Sequence, residues 1–136
     1  MLRLIPINEI NEYWTDVRTG LNRLLEKAPD TWKVEDVYFE LVTNKSGLYV
    51  AEDDDGLIGF TILSPFTQYG DIILHIWVAV NNRNHDDLVF ATDEVKSIAE
   101  KIGAKYITYS SARKGSIKAC RELGFKPTHQ NFRFEV

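Results

Sequence analysis

The sequence predicts a mixed α/β domain: a mostly antiparallel sheet of about seven strands, four helices and one central parallel pair. Three adjoining stretches carry that expectation. Asp71-Ile-Ile-Leu-His-Ile-Trp-Val-Ala-Val80 is apolar on both alternating faces, as a strand in the middle of a sheet must be. The run after it is amphipathic, with Leu88, Val89, Ala91, Val95, Ile98, Ala99 and Ile102 at helical spacing, Asp86 and Asp87 at its start and Gly103 at its end. Lys105-Tyr-Ile-Thr-Tyr-Ser110 then reads as a second strand. A strand, helix, strand crossover joins parallel neighbours.

The other elements follow in order. Leu2 to Ile7 alternates and reads as a short strand, placed at an edge by Pro6. Asn8 caps a helix in which Ile10, Tyr13, Trp14, Val17, Leu21, Leu24 and Leu25 recur until Ala28-Pro29-Asp30, with Gly20 as its weak point. Asp30 or Thr31 caps a second helix carrying Val34, Val37, Tyr38, Leu41 and Val42, which ends near Asn44 to Gly47. Leu48 to Glu52 and Leu57 to Leu63 flank an acidic turn closed by Gly56, a hairpin signal. Ser64 to Gly70 is expected as a loop, and Ala112 to Leu123 as a short helix stopped by Gly124. Phe125 to Thr128 and Phe132 to Val136 are expected as two last strands. In the central strand, strict alternation would put Ile73, His75, Trp77 and Ala79 on one face and Leu74, Ile76, Val78 and Val80 on the other.

Composition narrows the function. At 136 residues and 44% hydrophobic content, the expectation is one domain, residues 1–136, with a sizeable core. A net charge of −4 disfavours a nucleic-acid partner, which would need a positive stripe. One cysteine and three histidines give no disulfide and disfavour a structural zinc site. With no apolar run long enough to span a bilayer, no membrane partner is expected, and the chain reads as soluble and cytoplasmic.

In element order, the chain resembles the GNAT N-acetyltransferase superfamily over essentially its whole length. Two motifs add to the resemblance. Val50-Ala-Glu-Asp-Asp-Asp-Gly-Leu-Ile-Gly-Phe60 looks like that family's hairpin, with Gly59 where the family often has glycine, and Ala119-Cys-Arg-Glu-Leu-Gly-Phe125 is similar to its closing Leu-Gly-Phe signature. The resemblance implies acetyl-CoA as cofactor, lying where the central strand parts from the next one, with its pyrophosphate on the N-terminus of the intervening helix. It implies a binding set of Ile76, Trp77, Val78, Arg83, Asn84, His85, Asp86, Asp87 and Leu88, joined by Arg113 and Lys114. Arg83 matches the first position of the family's phosphate motif. Asp86 and Leu88 stand where that motif has small residues, so charge and bulk meet the phosphate; the same carboxylates also suit ordinary helix capping.

Acetylating an amine requires a base for the ammonium proton and an acid for the leaving thiolate. His75 and Asp71 are the candidate bases. Cys120 stands where many family members have the tyrosine acid, although a lone cysteine on a helix also serves as a small core residue. The implied acceptor is a small-molecule or peptide amine. The alternative is a catalytically inactive structural or interaction module with a protein partner. Divergence of this kind resembles the small GNAT-like proteins of tailed phages, which would place the chain in a host cytoplasm or a virion.

Overall fold

The computed structural model describes residues 1–83, 91–111 and 114–136. Among them a five-stranded sheet runs in the order β1 (Arg3–Leu4), β2 (Gly47–Asp53), β3 (Gly56–Gln68), β4 (Asp71–Asn81) and β5 (Tyr106–Tyr109). The first four strands pair antiparallel, and β4 and β5 pair in parallel from Ile73 opposite Tyr106 to Ile76 opposite Tyr109. The helices are α1 (Ile10–Lys27), α2 (Val34–Val42), α3 (Thr92–Ile102) and α4 (Lys114–Glu122). The expected parallel pair is therefore present and sits at one side of the sheet.

Each face of the sheet has its own apolar cluster. On one, Val17 and Leu21 of α1 and Val37 and Leu41 of α2 pack on Val50, Phe60, Ile62, Val78 and Val80. Here Gly20 has a use that a propensity scale misses. A Cβ at Gly20 would lie 2.7 Å from the Phe60 ring, so glycine lets α1 settle directly on β3. On the other face, Val95 and Ala99 of α3 join Leu63, Leu74, Ile76 and Ala79. Gly103 ends α3 in the left-handed conformation, with φ 74°, as its position predicts.

Several boundaries differ from the sequence expectations. The segment Ser64 to Gln68 continues β3 rather than forming a loop, because Tyr69 and Gly70 both take positive φ and close a two-residue hairpin. Asn8 lies inside a short 3-10 turn, Ile7–Glu9, and makes no capping bond, and Pro6 limits β1 to two residues. Asp30 spends its carboxylate on the Thr31 amide, so α2 starts later, where Asp36 Oδ2 accepts from the Lys33 amide at 2.8 Å. Phe125–Thr128 and Phe132–Val136 are not strands: Pro127 has no amide to donate, and apolar alternation defines a face without supplying the neighbouring edge that a strand needs. The expected helix start at Asp86 and Asp87, together with Leu88 and Val89, falls outside the described residues.

Strict alternation also fails in β4. Ile62 pairs with Val78 and Leu63 with Ile76, which leaves Trp77 as an extra residue, a β-bulge. The phase reverses there. Leu74, Ile76 and Ala79 share the α3 face, while Trp77, Val78 and Val80 share the α1/α2 face.

Candidate active site

The bulge sets the geometry of the site. It aims the side chains of Trp77 and Val78 toward the same helices, and it marks the point at which β4 leaves β5. From Ile73 to Ile76 the two strands are paired; beyond, Trp77 to Asn81 run beside β3 without β5. His75 lies one residue before the last paired position and, flanked by inward Leu74 and Ile76, faces the Trp77 side.

His75 is half-buried, and its Nδ1 lies 2.8 Å from Thr108 Oγ1 on β5. No buried side-chain nitrogen or oxygen among the described residues lacks a partner, so Nε2, which has no protein partner there, opens to solvent. Burial disfavours the imidazolium and holds the pKa of His75 below its ordinary value. A neutral imidazole with one nitrogen anchored and the other free has the form of a general base.

A polar row crosses this face beside it. Glu40 Oε1 accepts from Ser46 Oγ at 3.1 Å, the Ser46 and Ser64 hydroxyls are 2.7 Å apart, and Ser64 is the β3 partner of His75. The row leads to a cavity of about 470 Å³ lined by Trp32, Asp36, Phe39, Glu40, Lys45 and Trp77. Trp32 and Trp77 meet edge to face with centroids 5.7 Å apart, and Lys45 Nζ lies 5.5 Å from the Phe39 ring centre. Aromatic walls with two carboxylates against the one ammonium of Lys45 leave a net negative lining, which favours an organic cation. Sequence reasoning did not single out Asp36, Phe39, Glu40 or Thr108. Apart from a threonine at matching phase to His75 on the parallel strand, no local signal marks them.

The remaining sequence candidates are dispersed. Asp71, at the start of β4, is 3.6 Å from Lys105 Nζ, in a largely solvated ion pair. Cys120 packs against the cluster of Leu63, Leu74, Ile76, Ala79, Val95 and Ala99 on the sheet face opposite His75, and burial raises its pKa. Ile76 and Val78 have their side chains in the core, so a ligand could reach only their backbone. Arg83 makes a two-pronged pair with Asp53 of the β2–β3 hairpin, at 2.6 and 2.7 Å. That pair, chiefly its hydrogen bonds, lowers the Asp53 pKa to about 2. Lys114 is exposed at the start of α4. Asn84, His85, Asp86, Asp87, Leu88 and Arg113 lie outside the described residues.

No protein-family model and no curated protein matches the sequence. Solved structures do. A probable acetyltransferase superposes with a TM-score of 0.74 at 14% identity, covering 100% of this chain and 97% of that one. A ribosomal-protein-alanine N-acetyltransferase from Brucella melitensis biovar Abortus 2308 gives 0.73 at 11% identity, with 100% and 99% covered. An aminoglycoside N-acetyltransferase in complex with CoA gives 0.67 at 16% identity, with 100% and 98% covered. At such identities the likeness is one of architecture, and in architecture this chain has the fold of the GNAT acetyltransferases.

Proposed function

We propose that the chain is an acyl-CoA-dependent N-acyltransferase that moves an acetyl group from acetyl-CoA to an amine, with His75 as general base. The observation that carries this reading is the placement of a neutral, half-open histidine where β4 parts from β5, on the same sheet face as the aromatic and acidic cavity. Acetyl-CoA, when bound, would supply the activated acyl group. The backbone of Ile76, Trp77 and Val78 at the parting of the strands suits its narrow arm, and Lys114, with Arg83 once released from Asp53, suits its phosphates. The cavity holds the acceptor: Asp36 and Glu40 attract the ammonium, and Trp32 and Trp77 strip part of its water. His75 Nε2 then takes the ammonium proton, while Thr108 fixes the ring through Nδ1. Cys120, on the far face, takes no part, and the CoA thiolate that the amine displaces would take its proton from solvent.

The relatives of known structure act on an aminoglycoside and on a ribosomal protein's alanine, both amines, which supports an amine acceptor without choosing between a small molecule and a peptide. One observation favours a second reading, a GNAT-like interaction module without catalysis, of the kind tailed phages carry. Arg83, the residue matching the phosphate motif, is already paired with Asp53.

The test is thiol release from acetyl-CoA with a panel of polyamines and peptide amines, alongside calorimetry with acetyl-CoA. We expect turnover in the parent, and in His75→Gln a rate lower by about 10²- to 10⁴-fold with cofactor binding retained. Cofactor binding without turnover on any amine would favour the interaction module. Absence of both would sink the acyl-transfer reading.

A further inference from the structure

Trp32 lines two cavities. On one side it walls the acidic cavity of the candidate site with Trp77; on the other it borders a second cavity, of about 440 Å³, together with Arg18, Asn22 and Leu25 of α1 and Lys33 and Glu35 at the start of α2. Arg18, Asn22 and Leu25 stand at i, i+4 and i+7, so α1 presents them as one stripe beside that start. The two cavities differ in sign. Asp36 and Glu40 outnumber Lys45 in the first, whereas Arg18 and Lys33 outnumber Glu35 in the second. Both of these cations are exposed, and among the described residues neither has an ion-pair partner. The wall between the two is the half-buried indole of Trp32, held edge to face by Trp77 at 5.7 Å.

We infer that the two cavities hold the two ends of one acceptor, and that this acceptor is an acidic peptide. Its N-terminal ammonium lies in the Asp36 and Glu40 cavity, its backbone crosses Trp32, and the carboxylate of its third residue meets Arg18 and Lys33. The inference rests on the acyl-transfer reading for the fate of the amine, and on the two cavities alone for what is bound. A ligand with charge of one sign suits only one of them: a polyamine that filled the first would meet like charge at Arg18 and Lys33. A free amino acid is too short to reach both. An extended peptide advances about 3.3–3.6 Å per residue, so two steps, roughly 7 Å, cross an indole. Asn22 offers a donor and an acceptor to the peptide backbone on the far side, and Leu25 an apolar surface.

The test uses C-terminally amidated tetrapeptides that differ only at the third residue, which is glutamate, glutamine or lysine. Calorimetry reads binding, and thiol release from acetyl-CoA reads turnover. We expect the glutamate peptide to bind about tenfold more tightly than the glutamine peptide, the lysine peptide to bind most weakly, and kcat/KM to follow the same order. Added salt should shrink these differences, since Arg18 and Lys33 are exposed. The full-length Arg18→Gln/Lys33→Gln variant should bind the glutamate and glutamine peptides alike, and Arg18→Glu/Lys33→Glu should prefer the lysine peptide. Because both side chains are exposed, the far-ultraviolet spectra of the variants should match the parent's. Selective binding of the glutamate peptide without turnover would keep the peptide site and sink the acyl-transfer reading. Turnover with no preference among the three peptides would do the reverse. A glutamate preference that survives both variants overturns the inference, as do tighter binding of spermidine than of the glutamate peptide and a failure of all three peptides to bind.

Discussion

On the α1/α2 face Val17, Leu21, Val37, Phe60, Ile62, Val78 and Val80 are at most 1% exposed, whereas on the α3/α4 face burial thins toward β5 until Ile107, Tyr109, Leu123 and Phe125 are only partly covered. The first face can hold a shape; the second, in the single chain, is loose at its rim. His75 lies on the tight face but at its margin, where its bond reaches across to Thr108 on the half-buried edge strand β5. A site placed there has a firm back and an adjustable side, which is what a cleft that must admit and release a ligand requires.

The largest test of this contrast is a matched pair of truncations. Phe60→Ala should cost about 3–5 kcal/mol in urea unfolding, because the ring is fully buried and Gly20 sits against it. Leu123→Ala, at the half-open rim, should cost less than about 2 kcal/mol. Gly20→Ala should fall between them, at about 1–3 kcal/mol, since its Cβ would press into the Phe60 ring. Equal losses for Phe60 and Leu123 would show that the rim is packed in solution.

The same contrast explains what could be read before the structure was known. The left-handed stop at Gly103 and the Gly56 hairpin were legible because each depends on residues close in sequence, and the parallel pair because a strand, helix, strand order leaves its two strands as parallel neighbours. The bulge at Trp77 was not. It adds one residue to a run whose apolar character is the same on both faces, so nothing in the run marks the reversal of phase. His75 was legible as a candidate, but its partner was not, since Thr108 comes from a strand 33 residues away. Cys120 shows the converse: a motif position gave its place on the helix, but not the sheet face against which that helix packs.

A smaller effect should appear in pH dependence. The folded-state pKa of His75 is lower than its unfolded value, because burial disfavours the charged ring. The stability tied to its neutral form is therefore fully present above an unfolded pKa of about 6.5 and is lost as pH falls through the lower folded value. Parent stability should drop relative to His75→Gln over that window. If the acyl-transfer reading holds, the acid limb of the rate should share it. A flat difference between the two proteins would mean that the ring is as solvated folded as unfolded, and that β5 stands further from β4 than the Thr108 contact implies.

The smallest effect on stability, and the sharpest on function, belongs to Arg83 and Asp53. Both are solvated, so their pair is screened and should contribute little to folding. The Asp53 carboxyl, held at about 2, stays ionised through acid in which ordinary carboxylates are neutral, so what stability it lends is present above the ordinary value and fades only as pH falls toward 2. Asp53→Asn should therefore leave the melting temperature nearly unchanged at pH 7. It should also free the guanidinium. If Arg83 is meant for a coenzyme phosphate, calorimetry should show tighter acetyl-CoA binding in Asp53→Asn than in the parent, and Arg83→Ala should remove that gain. If the parent binds as tightly as the variant, the pair opens without measurable cost when ligand arrives. If Asp53→Asn weakens binding, the carboxylate instead holds the arginine in its working pose, and the pair belongs to the site.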